Sequence, residues 1–397
     1  MTATSAQQIR NYTGPSIFSF GFRPFFLGGA LIAVVMPLLM AAFMAGALDF
    51  GGHYGAIALH GHEMVYGYLS AIIAGFLLTA VPNWTGRLPI VGRGLVAIFV
   101  LWIGGRFAVV FSGVIDARLV LAIDASFLFV MSAILWREIL TGKNWRNAPI
   151  GVMVTLFASG NLVWHLEYAG IAQAGLGLRW GLGIVALLLA LIGGRVTPSF
   201  TRNWLAKNNK PSIEAGLSIV DKISLALIGL GVLLWIIKPT SAPTGGVLIA
   251  AALANILRLY RWGGWRTTSE PLVMILHVGY FWLVVALMFL GLAALAPSFV
   301  SPLAALHALS AGAAGVMTLA VMTRATLGHT GRPLSADRST LVIYVLVNLG
   351  AVIRVAAPFI AIDYSLTVML SAILWSAAFF MFAIVYGRYL ILPKASG

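Results

Sequence analysis

Long apolar runs separated by short polar stretches follow one another along almost the whole chain. A run of about 20 residues, at a rise of about 1.5 Å per residue, spans the hydrocarbon core of a bilayer as a helix. Runs of this length are typical of transmembrane helices. The sequence therefore predicts an all-α, polytopic membrane protein. The twelve predicted helices cover residues 27–48, 62–82, 94–113, 117–136, 150–170, 180–200, 220–238, 245–262, 271–295, 302–323, 339–358 and 366–390.

Two of these runs open and close with the same residues. His62 opens one that closes twenty-three residues later with Thr-Gly-Arg at 85–87, and His307 opens another that closes at the same spacing with Thr-Gly-Arg at 330–332. The interval is roughly 35 Å of helix, so each copy places a histidine at one membrane face and a turn at the other. Because a histidine in or beside lipid is costly, the repeat indicates a buried cofactor site shared between two halves. A coincidence between two glycine- and alanine-rich spans is the alternative.

Basic residues alternate between the two sides of the predicted membrane. They cluster at both termini and in every second loop, whereas the opposite loops carry only Arg118, Arg179 and Lys238. The positive-inside rule then predicts that both termini are cytoplasmic. We expect residues 1–397 to form a single transmembrane domain, with halves 1–200 and 220–397 joined by the polar cytoplasmic loop 201–219. The repeat pairs the second helix with the tenth, so it does not indicate a simple six-plus-six duplication.

Composition narrows the class of protein further. Of the 397 residues, 60% are hydrophobic and 9% are charged, which is unlike a soluble domain of this size. The formal charge of +14 comes from residues in short loops without a continuous basic stripe, and this excludes nucleic acid as a partner. Cysteine is absent, which excludes disulfides, thiolate ligands and protein-held iron–sulfur clusters. A bound metal must use nitrogen or oxygen ligands, so the seven histidines become the main candidates.

Four histidines on three predicted helices lie at similar depth on the outer side. They are His60, His62, His165 and His307. Imidazoles placed in this way can converge on haem iron or on copper. His60 and His62 point about 200° apart on a regular helix, so they serve different centres unless the helix begins at His62. Two further metal candidates, His277 and His329, lie nearer the cytoplasm, where a structural role competes with ligation.

Other polar residues near these histidines are candidates for proton transfer. Tyr66 follows His62 by four residues and shares its helix face, so it can donate a hydrogen bond or a proton to a group bound there. Glu63 is the second catalytic candidate. A proton route through the membrane would also use polar groups of neighbouring helices, of which the chain offers Glu167 and Asp124.

Three arginines are candidates for holding an anionic cofactor group. Arg106 and Arg354 lie inside predicted helices and need anions there. A haem propionate would suit either arginine, and the alternative is a salt bridge to Asp116, Asp124 or Asp363. Arg324 lies in a cytoplasmic turn, where contact with lipid headgroups and a second anion or cofactor site are the two interpretations.

Four segments of the chain form a specific combination. They are residues 20–26 (Phe-Gly-Phe-Arg-Pro-Phe-Phe), 60–64 (His-Gly-His-Glu-Met), 75–86 (Gly-Phe-Leu-Leu-Thr-Ala-Val-Pro-Asn-Trp-Thr-Gly) and 322–331 (Met-Thr-Arg-Ala-Thr-Leu-Gly-His-Thr-Gly). With these segments the chain resembles the NnrS family, bacterial membrane proteins linked to nitric oxide metabolism, over nearly its whole length.

The resemblance implies a haem b- and copper-containing protein of the bacterial inner membrane that handles nitric oxide or protects against nitrosative stress. It makes His60 and His62 the leading metal candidates. The most concrete activity is reduction of two NO to nitrous oxide at a histidine-ligated metal pair, with electrons from quinol. The alternatives are NO or metal binding without turnover, haem or copper delivery, and a secondary transporter without a cofactor.

Overall fold

Long helices make up most of the chain. The computed structural model describes residues 12–85 and 89–394, and every regular element among them is helical. Twelve helices, named α1 to α12, are long and apolar enough to cross a membrane, which confirms the all-α, polytopic prediction. In order, they are Phe22–Met44, Ala56–Pro82, Arg93–Val110, Ala117–Thr141, Trp145–Tyr168, Leu176–Lys207, Ile219–Ile237, Ala242–Arg261, Pro271–Leu295, Pro302–His329, Arg338–Phe359 and Tyr364–Val385. A short helix, α13 (Gly387–Ile391), follows α12.

The largest differences from the predicted bounds are helix ends that extend past the apolar run. α1 begins at Phe22, five residues before the prediction, with Pro24 in a first turn whose N–H groups have no helical partner in any case. α6 continues to Lys207 as a polar helix instead of stopping at residue 200. Hydropathy marks the lipid-facing length, whereas backbone hydrogen bonding continues beyond it. The glycine and arginine that close the first repeat copy, Gly86 and Arg87, lie outside the described residues.

The chain divides into two compact units. Unit 1 comprises Met1–Gly181, Thr326–Arg332 and Phe379–Gly397, and unit 2 comprises Leu182–Ala325 and Pro333–Ala378. Helices α1 to α5 therefore belong to unit 1, while α7, α8, α9 and α11 belong to unit 2. The single domain with halves joined by loop 201–219 stays a prediction.

Among the described residues, three helices contain a wider, π-helical turn. The π segments are Glu63–Leu69 in α2, Leu189–Gly193 in α6 and Ala308–Ala314 in α10. In α2 and α10 the segment has seven residues and begins directly after the repeated histidine, His62 or His307. Local backbone geometry thus follows the sequence repeat in the same register. The third segment lies in α6, so the feature recurs at every fourth helix.

A π turn leaves backbone carbonyls without their regular helical partners, and inside a membrane such groups must find other donors. In unit 1, the carbonyl of Tyr66 accepts a hydrogen bond from Arg106 Nη1 at 2.7 Å. The carbonyl of Gly67 accepts one from Trp102 Nε1 at 3.0 Å. Both donors lie on α3, which therefore fixes the π segment of α2.

The two π segments of unit 2 are satisfied in the same way. The carbonyl of Ala190 accepts a hydrogen bond from Arg258 Nη1 at 3.1 Å. The carbonyl of Ala311 accepts one from Trp375 Nε1 at 3.2 Å. An arginine or a tryptophan from a different helix therefore supports each of the three segments.

Candidate metal centre

His62, Asp124 and His165 form a group whose ligand atoms all lie within 4.8 Å of one another. They come from α2, α4 and α5, belong to unit 1, and are buried. The Nε2 atoms of His62 and His165 each lie 3.0 Å from Asp124 Oδ2. Two imidazole nitrogens and a carboxylate oxygen are donors that transition-metal ions accept. We call these three residues the metal centre.

Local sequence explains how these side chains reach one point. Asn161 precedes His165 by four residues and shares its face of α5. Its Nδ2 donates to Asp124 Oδ2 at 2.8 Å, and its Oδ1 lies 2.9 Å from His62 Nε2. Gly105 of α3 makes room for the aspartate, since a Cβ there would lie 2.8 Å from Asp124 Oδ1. An amide and a glycine therefore fix the position of the carboxylate.

The other ring nitrogen of each histidine also has a partner. His62 Nδ1 lies 3.1 Å from Glu63 Oε1, and His165 Nδ1 lies 3.2 Å from the Tyr54 hydroxyl. Metal-binding histidines commonly use their second nitrogen in this way, which orients the ring and raises its basicity. The arrangement around both histidines therefore fits metal ligation through Nε2.

Tyr54 lies in the loop before α2, outside the membrane-spanning helices, yet it is buried. Burial, the negative charge of Asp124 and the neighbouring Tyr168 raise the pKa of Tyr54 to about 12. Because the phenol keeps its proton over the physiological range, Tyr54 remains a neutral hydrogen-bonding partner for His165.

Charge balance leaves the metal centre short of one positive charge. Arg106 forms an ion pair with Asp124 through Nη2, and its Nε lies 3.0 Å from Glu63 Oε2. Two buried carboxylates thus share one guanidinium, and buried charges need compensation. A metal cation would offset the remaining negative charge, and so would a doubly protonated His62. A metal-free and a metal-bound state are therefore both electrostatically consistent.

The metal centre does not fit a haem bound at His62. The His62 ring is fully buried and lies 4.2 Å from the Trp164 ring, centroid to centroid. Its Nε2 faces the oxygens of Asp124 and Asn161. Haem iron would have to take the place of those oxygens, and the surrounding side chains pack too closely for a macrocycle. A single ion suits the donor set.

The family model described as NnrS protein matches residues 16–394, nearly the whole chain. The chain belongs to the NnrS family. Membership makes it a nitric-oxide-related membrane protein. No curated protein matches the chain significantly. The NnrS segment at residues 60–64 supplies His62 and Glu63, whereas Asp124 and His165 lie outside the four segments on which the resemblance rests.

The two other candidate histidines of unit 1 do not join the metal centre. His60 Nδ1 lies 3.3 Å from the carbonyl oxygen of Met36. The ring of His329 packs near Phe20 and Phe22, with centroid distances of 6.1 and 5.6 Å. His60 and His62 thus have different surroundings, as expected from their spacing on one helix.

The candidate histidines of unit 2 have protein partners of their own. His277 is buried, and its Nε2 lies 2.9 Å from Thr201 Oγ1. His307 Nδ1 lies 2.8 Å from the carbonyl oxygen of Leu303, one turn earlier in α10. Neither belongs to the metal-ligand group found among the described residues. Metal binding at either residue stays a prediction.

The catalytic candidates have distinct surroundings. Tyr66 donates its hydroxyl hydrogen to the carbonyl of Gly177 at 2.6 Å, and its ring lies 5.4 Å from that of His62. The hydroxyl of Tyr66 therefore points away from the metal centre, whereas the ring of Tyr66 packs against His62. Glu63 contacts both His62 and Arg106, so it is the catalytic candidate directly coupled to a ligand.

The three candidate arginines also differ. Arg106 forms ion pairs with Glu63 and Asp124 of its own unit, so it does not require a haem propionate as a counter-ion. Arg354 has its Cζ 5.7 Å from the Tyr364 ring and a buried Nη1 with no hydrogen-bond partner. Arg324 stacks over the Phe200 ring, with Cζ 3.9 Å from its centroid.

Sequence reasoning missed several residues around the metal centre. Asn161 and Tyr54 were not candidates, and Asp124 was expected only as a salt-bridge partner or a proton carrier. A usable signal existed for Asn161, because it is a polar residue in an apolar run at helical spacing from His165. No comparable signal points to Tyr54, whose role depends on how its loop folds over α5.

Proposed function

We propose that this NnrS protein resides in the bacterial inner membrane and handles nitric oxide at a transition-metal ion, copper in the first place, held by the metal centre. The observation that carries the proposal is the convergence of His62 Nε2, His165 Nε2 and Asp124 Oδ2 in a buried, negatively charged site. Imidazole and carboxylate donors suit copper and iron. Both ions bind NO, whereas a structural ion pair alone does not.

Different residues would have different roles at that site. His62, His165 and Asp124 bind the ion, and Glu63 and Tyr54 orient the two imidazoles. A bound copper ion would supply a coordination position for NO and one electron at a time. The rings of Trp164 and Tyr66 pack against His62 and exclude water from this side of the site.

Arg106 has a separate role in this proposal. By pairing with Asp124 and Glu63 it offsets negative charge at the site and fixes the position of both carboxylates. Glu63, which contacts the second nitrogen of His62, is the residue best placed to hold a proton near the site.

The enzymatic form of the proposal is reduction of two NO to nitrous oxide and water. This reaction consumes two electrons and two protons, and a membrane quinol would supply them. Binding of NO without turnover uses the same ligands. The two forms are distinguished by their product, because only the reductase releases nitrous oxide.

Metal content provides the first test. The full-length protein, purified in detergent and loaded with Cu or Fe, should retain about one ion per chain, as measured by elemental analysis. Asp124→Asn should lower this affinity at least tenfold. Asp116→Asn is the matched control, because Asp116 is the exposed N-cap of α4 and its carboxylate accepts a hydrogen bond from the backbone N–H of Arg118. Equal metal content in all three proteins would refute the metal centre.

Nitric oxide provides the second test. The loaded protein should give an NO-dependent absorption or EPR signal that Asp124→Asn lacks and Asp116→Asn retains. Nitrous oxide is then measured by gas chromatography after addition of NO and a reduced quinol. Its formation would assign reductase activity, and an NO signal without nitrous oxide would assign binding. Absence of any NO signal from a metal-loaded protein would contradict the proposal.

Haem b, which the resemblance implies, needs a place other than His62. A Soret band that survives washing would show that the chain binds haem. If the band persists in His62→Ala while copper is lost, the two cofactors use different residues.

A further inference from the structure

Four residues from three sequence segments that the metal centre does not use meet elsewhere in unit 1. Phe20 and Phe22, from the first segment, pack near the ring of His329, from the last. The backbone N–H of Phe22 donates to Thr79 Oγ1, from the third segment, at 3.1 Å. Phe20, Phe22, Thr79 and His329 therefore contribute to one structural feature of unit 1.

Arg23 follows Phe22 in the first segment and is 2% exposed. Its Nη1 donates to the carbonyls of Tyr389, Leu390 and Leu392, at 3.4, 2.9 and 2.7 Å. Its Nε is buried without a hydrogen-bond partner. Arg23 therefore fastens the end of α13 to the start of α1, and within the described residues it contacts carbonyl oxygens and the Phe22 ring but forms no ion pair.

Two more arginines approach the same short helix. The Cζ of Arg332 lies 3.9 Å, and that of Arg388 4.7 Å, from the centroid of the Tyr389 ring. Arg388 Nη2 also donates to the Tyr389 hydroxyl at 2.7 Å. Arg23 reaches the same residue, because its Nη1 donates to the Tyr389 carbonyl at 3.4 Å. We call Arg23, Arg332 and Arg388 the arginine cluster.

The arginine cluster has no acidic partner within the described part of the chain. Ion pairs of other arginines are present there, for example Arg258 with Asp221, but none involves these three. Arg388 is exposed and Arg332 is half-buried, so both can reach a group outside the protein. Three neighbouring guanidinium groups, two of them accessible, produce a positive electrostatic potential that attracts an anion.

The position of the cluster indicates where that anion comes from. The start of α1, the end of α10 and the end of α12 lie at the same membrane face, because successive spans cross in opposite directions. This is the face that the positive-inside rule predicts to be cytoplasmic. Tyr389 lies among the arginines, and tyrosine is typical of the headgroup level.

We propose that the arginine cluster binds the phosphate group of an anionic phospholipid from the cytoplasmic leaflet. Guanidinium groups recognise phosphate oxygens with paired hydrogen bonds, and anionic headgroups are concentrated at this depth. The site lies apart from the metal centre, so the inference is independent of the proposed function. The bound lipid would hold the ends of α1, α10 and α12 together.

Lipid retention by the full-length protein tests this inference. Protein in nanodiscs made of phosphatidylcholine with a minority of phosphatidylglycerol should enrich the phosphatidylglycerol, as measured by mass spectrometry of retained lipid. Arg332→Gln and Arg388→Gln should each weaken this preference about fivefold, and the double variant more strongly. Arg146→Gln is the control, an exposed arginine at the start of α5 on the same face. Arg23 is left unchanged because it fastens α13.

Two results would overturn the assignment. One is equal enrichment in the wild-type, Arg332→Gln and Arg388→Gln proteins. The other is release of the retained lipid by millimolar inorganic phosphate together with equal affinity for phosphatidylcholine, which would assign the cluster to a soluble phosphate ligand. Unchanged thermal unfolding and unchanged metal content in the variants would show that any loss of lipid does not come from misfolding.

Discussion

Arg106 and Arg258 perform the same structural task in different units. Each donates from Nη1 to a carbonyl of a π segment, Arg106 to Tyr66 and Arg258 to Ala190. Each also pairs with a buried aspartate, Asp124 in the first case and Asp221 in the second. In the part of the chain that the structure describes, histidines contact the aspartate of Arg106 but not that of Arg258. The arginine–aspartate pair therefore supports the fold in both places, and the imidazoles of α2 and α5 turn one of them into a candidate metal site.

This relationship predicts a large stability cost for Arg106→Gln. The change leaves Glu63 and Asp124 buried without their shared cation, and breaking a buried ion pair costs about 3–5 kcal/mol. Chemical unfolding of the detergent-solubilised protein measures it. Because the double change Arg106→Gln with Glu63→Gln removes one of the orphaned charges, it should recover part of the loss.

Arg137→Gln is the control for that experiment. Arg137 pairs with Glu138, but its side chain is 58% exposed, and an exposed pair contributes about 1 kcal/mol or less. If Arg106→Gln were no more damaging than Arg137→Gln, the buried network would not have the role assigned to it.

Gly67→Ala should disturb the metal centre through Glu63. A Cβ at this position would lie 2.6 Å from Glu63 Oε2 and 3.3 Å from Arg106 Cδ, so the carboxylate must move away from its partners. We expect about a tenfold loss of metal affinity, comparable to the loss of a hydrogen bond to a ligand. Gly229→Ala, in α7, has no atom within 4 Å of the added carbon and should leave metal binding unchanged. Equal affinities in both variants would contradict this account.

Tyr54 gives a dependence of stability on alkaline pH. Its pKa in the folded protein is raised to about 12 from 10, so between these values the folded state holds a proton that the unfolded state has released. Its contribution is complete below pH 10 and is lost as the pH rises towards 12. Unfolding measured from pH 9 to 12 should therefore show a steeper fall for the wild type than for Tyr54→Phe.

Tyr168→Phe is the comparison for this titration, because Tyr168 packs on the Tyr54 ring but is 40% exposed. The Tyr168→Phe protein should keep most of the wild-type slope. Identical slopes for wild type and Tyr54→Phe would show that the phenol is not held in its neutral form.

The orientation of the chain can be tested directly because the sequence contains no cysteine. A single Lys207→Cys, at the exposed end of α6, should be labelled by an impermeant thiol reagent only after the inner membrane is opened. A single Lys238→Cys, in the exposed α7–α8 connection, should be labelled from the outside. The opposite pattern would reverse the predicted topology.

Hydropathy predicted the fold well because a segment that crosses lipid must form its backbone hydrogen bonds internally. A long apolar run therefore forms a helix. All twelve spans were recovered, and errors were confined to helix ends: α6 continues into polar sequence up to Lys207, whereas α12 ends at Val385, five residues before its predicted end. The repeat of His62 and His307 corresponds to a real repeat of backbone geometry, since a π segment follows each histidine.

The site was harder to predict because a ligand set depends on which helix faces meet. The sequence placed His62 and His165 at similar depth, and they do come together. Depth alone could not show that Asp124 points towards them while His60 turns towards Met36. Nor could charge counting show that Arg106 meets acids of its own unit, because Glu63 and Asp124 lie on different helices and are distant in sequence.

The π segment Glu63–Leu69 also has a consequence for how this protein tolerates changes in length. A π turn contains one residue more than a regular α-helical turn. Removal of that residue would restore the regular winding and rotate the residues before the turn by about 100° relative to those after it. Deleting Val65 would thus swing the His62 imidazole off the face that meets α4 and α5, although every ligand remained in the chain. The one extra residue of the π turn sets the direction in which His62 faces. Metal binding at this site therefore depends on that residue as well as on the ligand side chains.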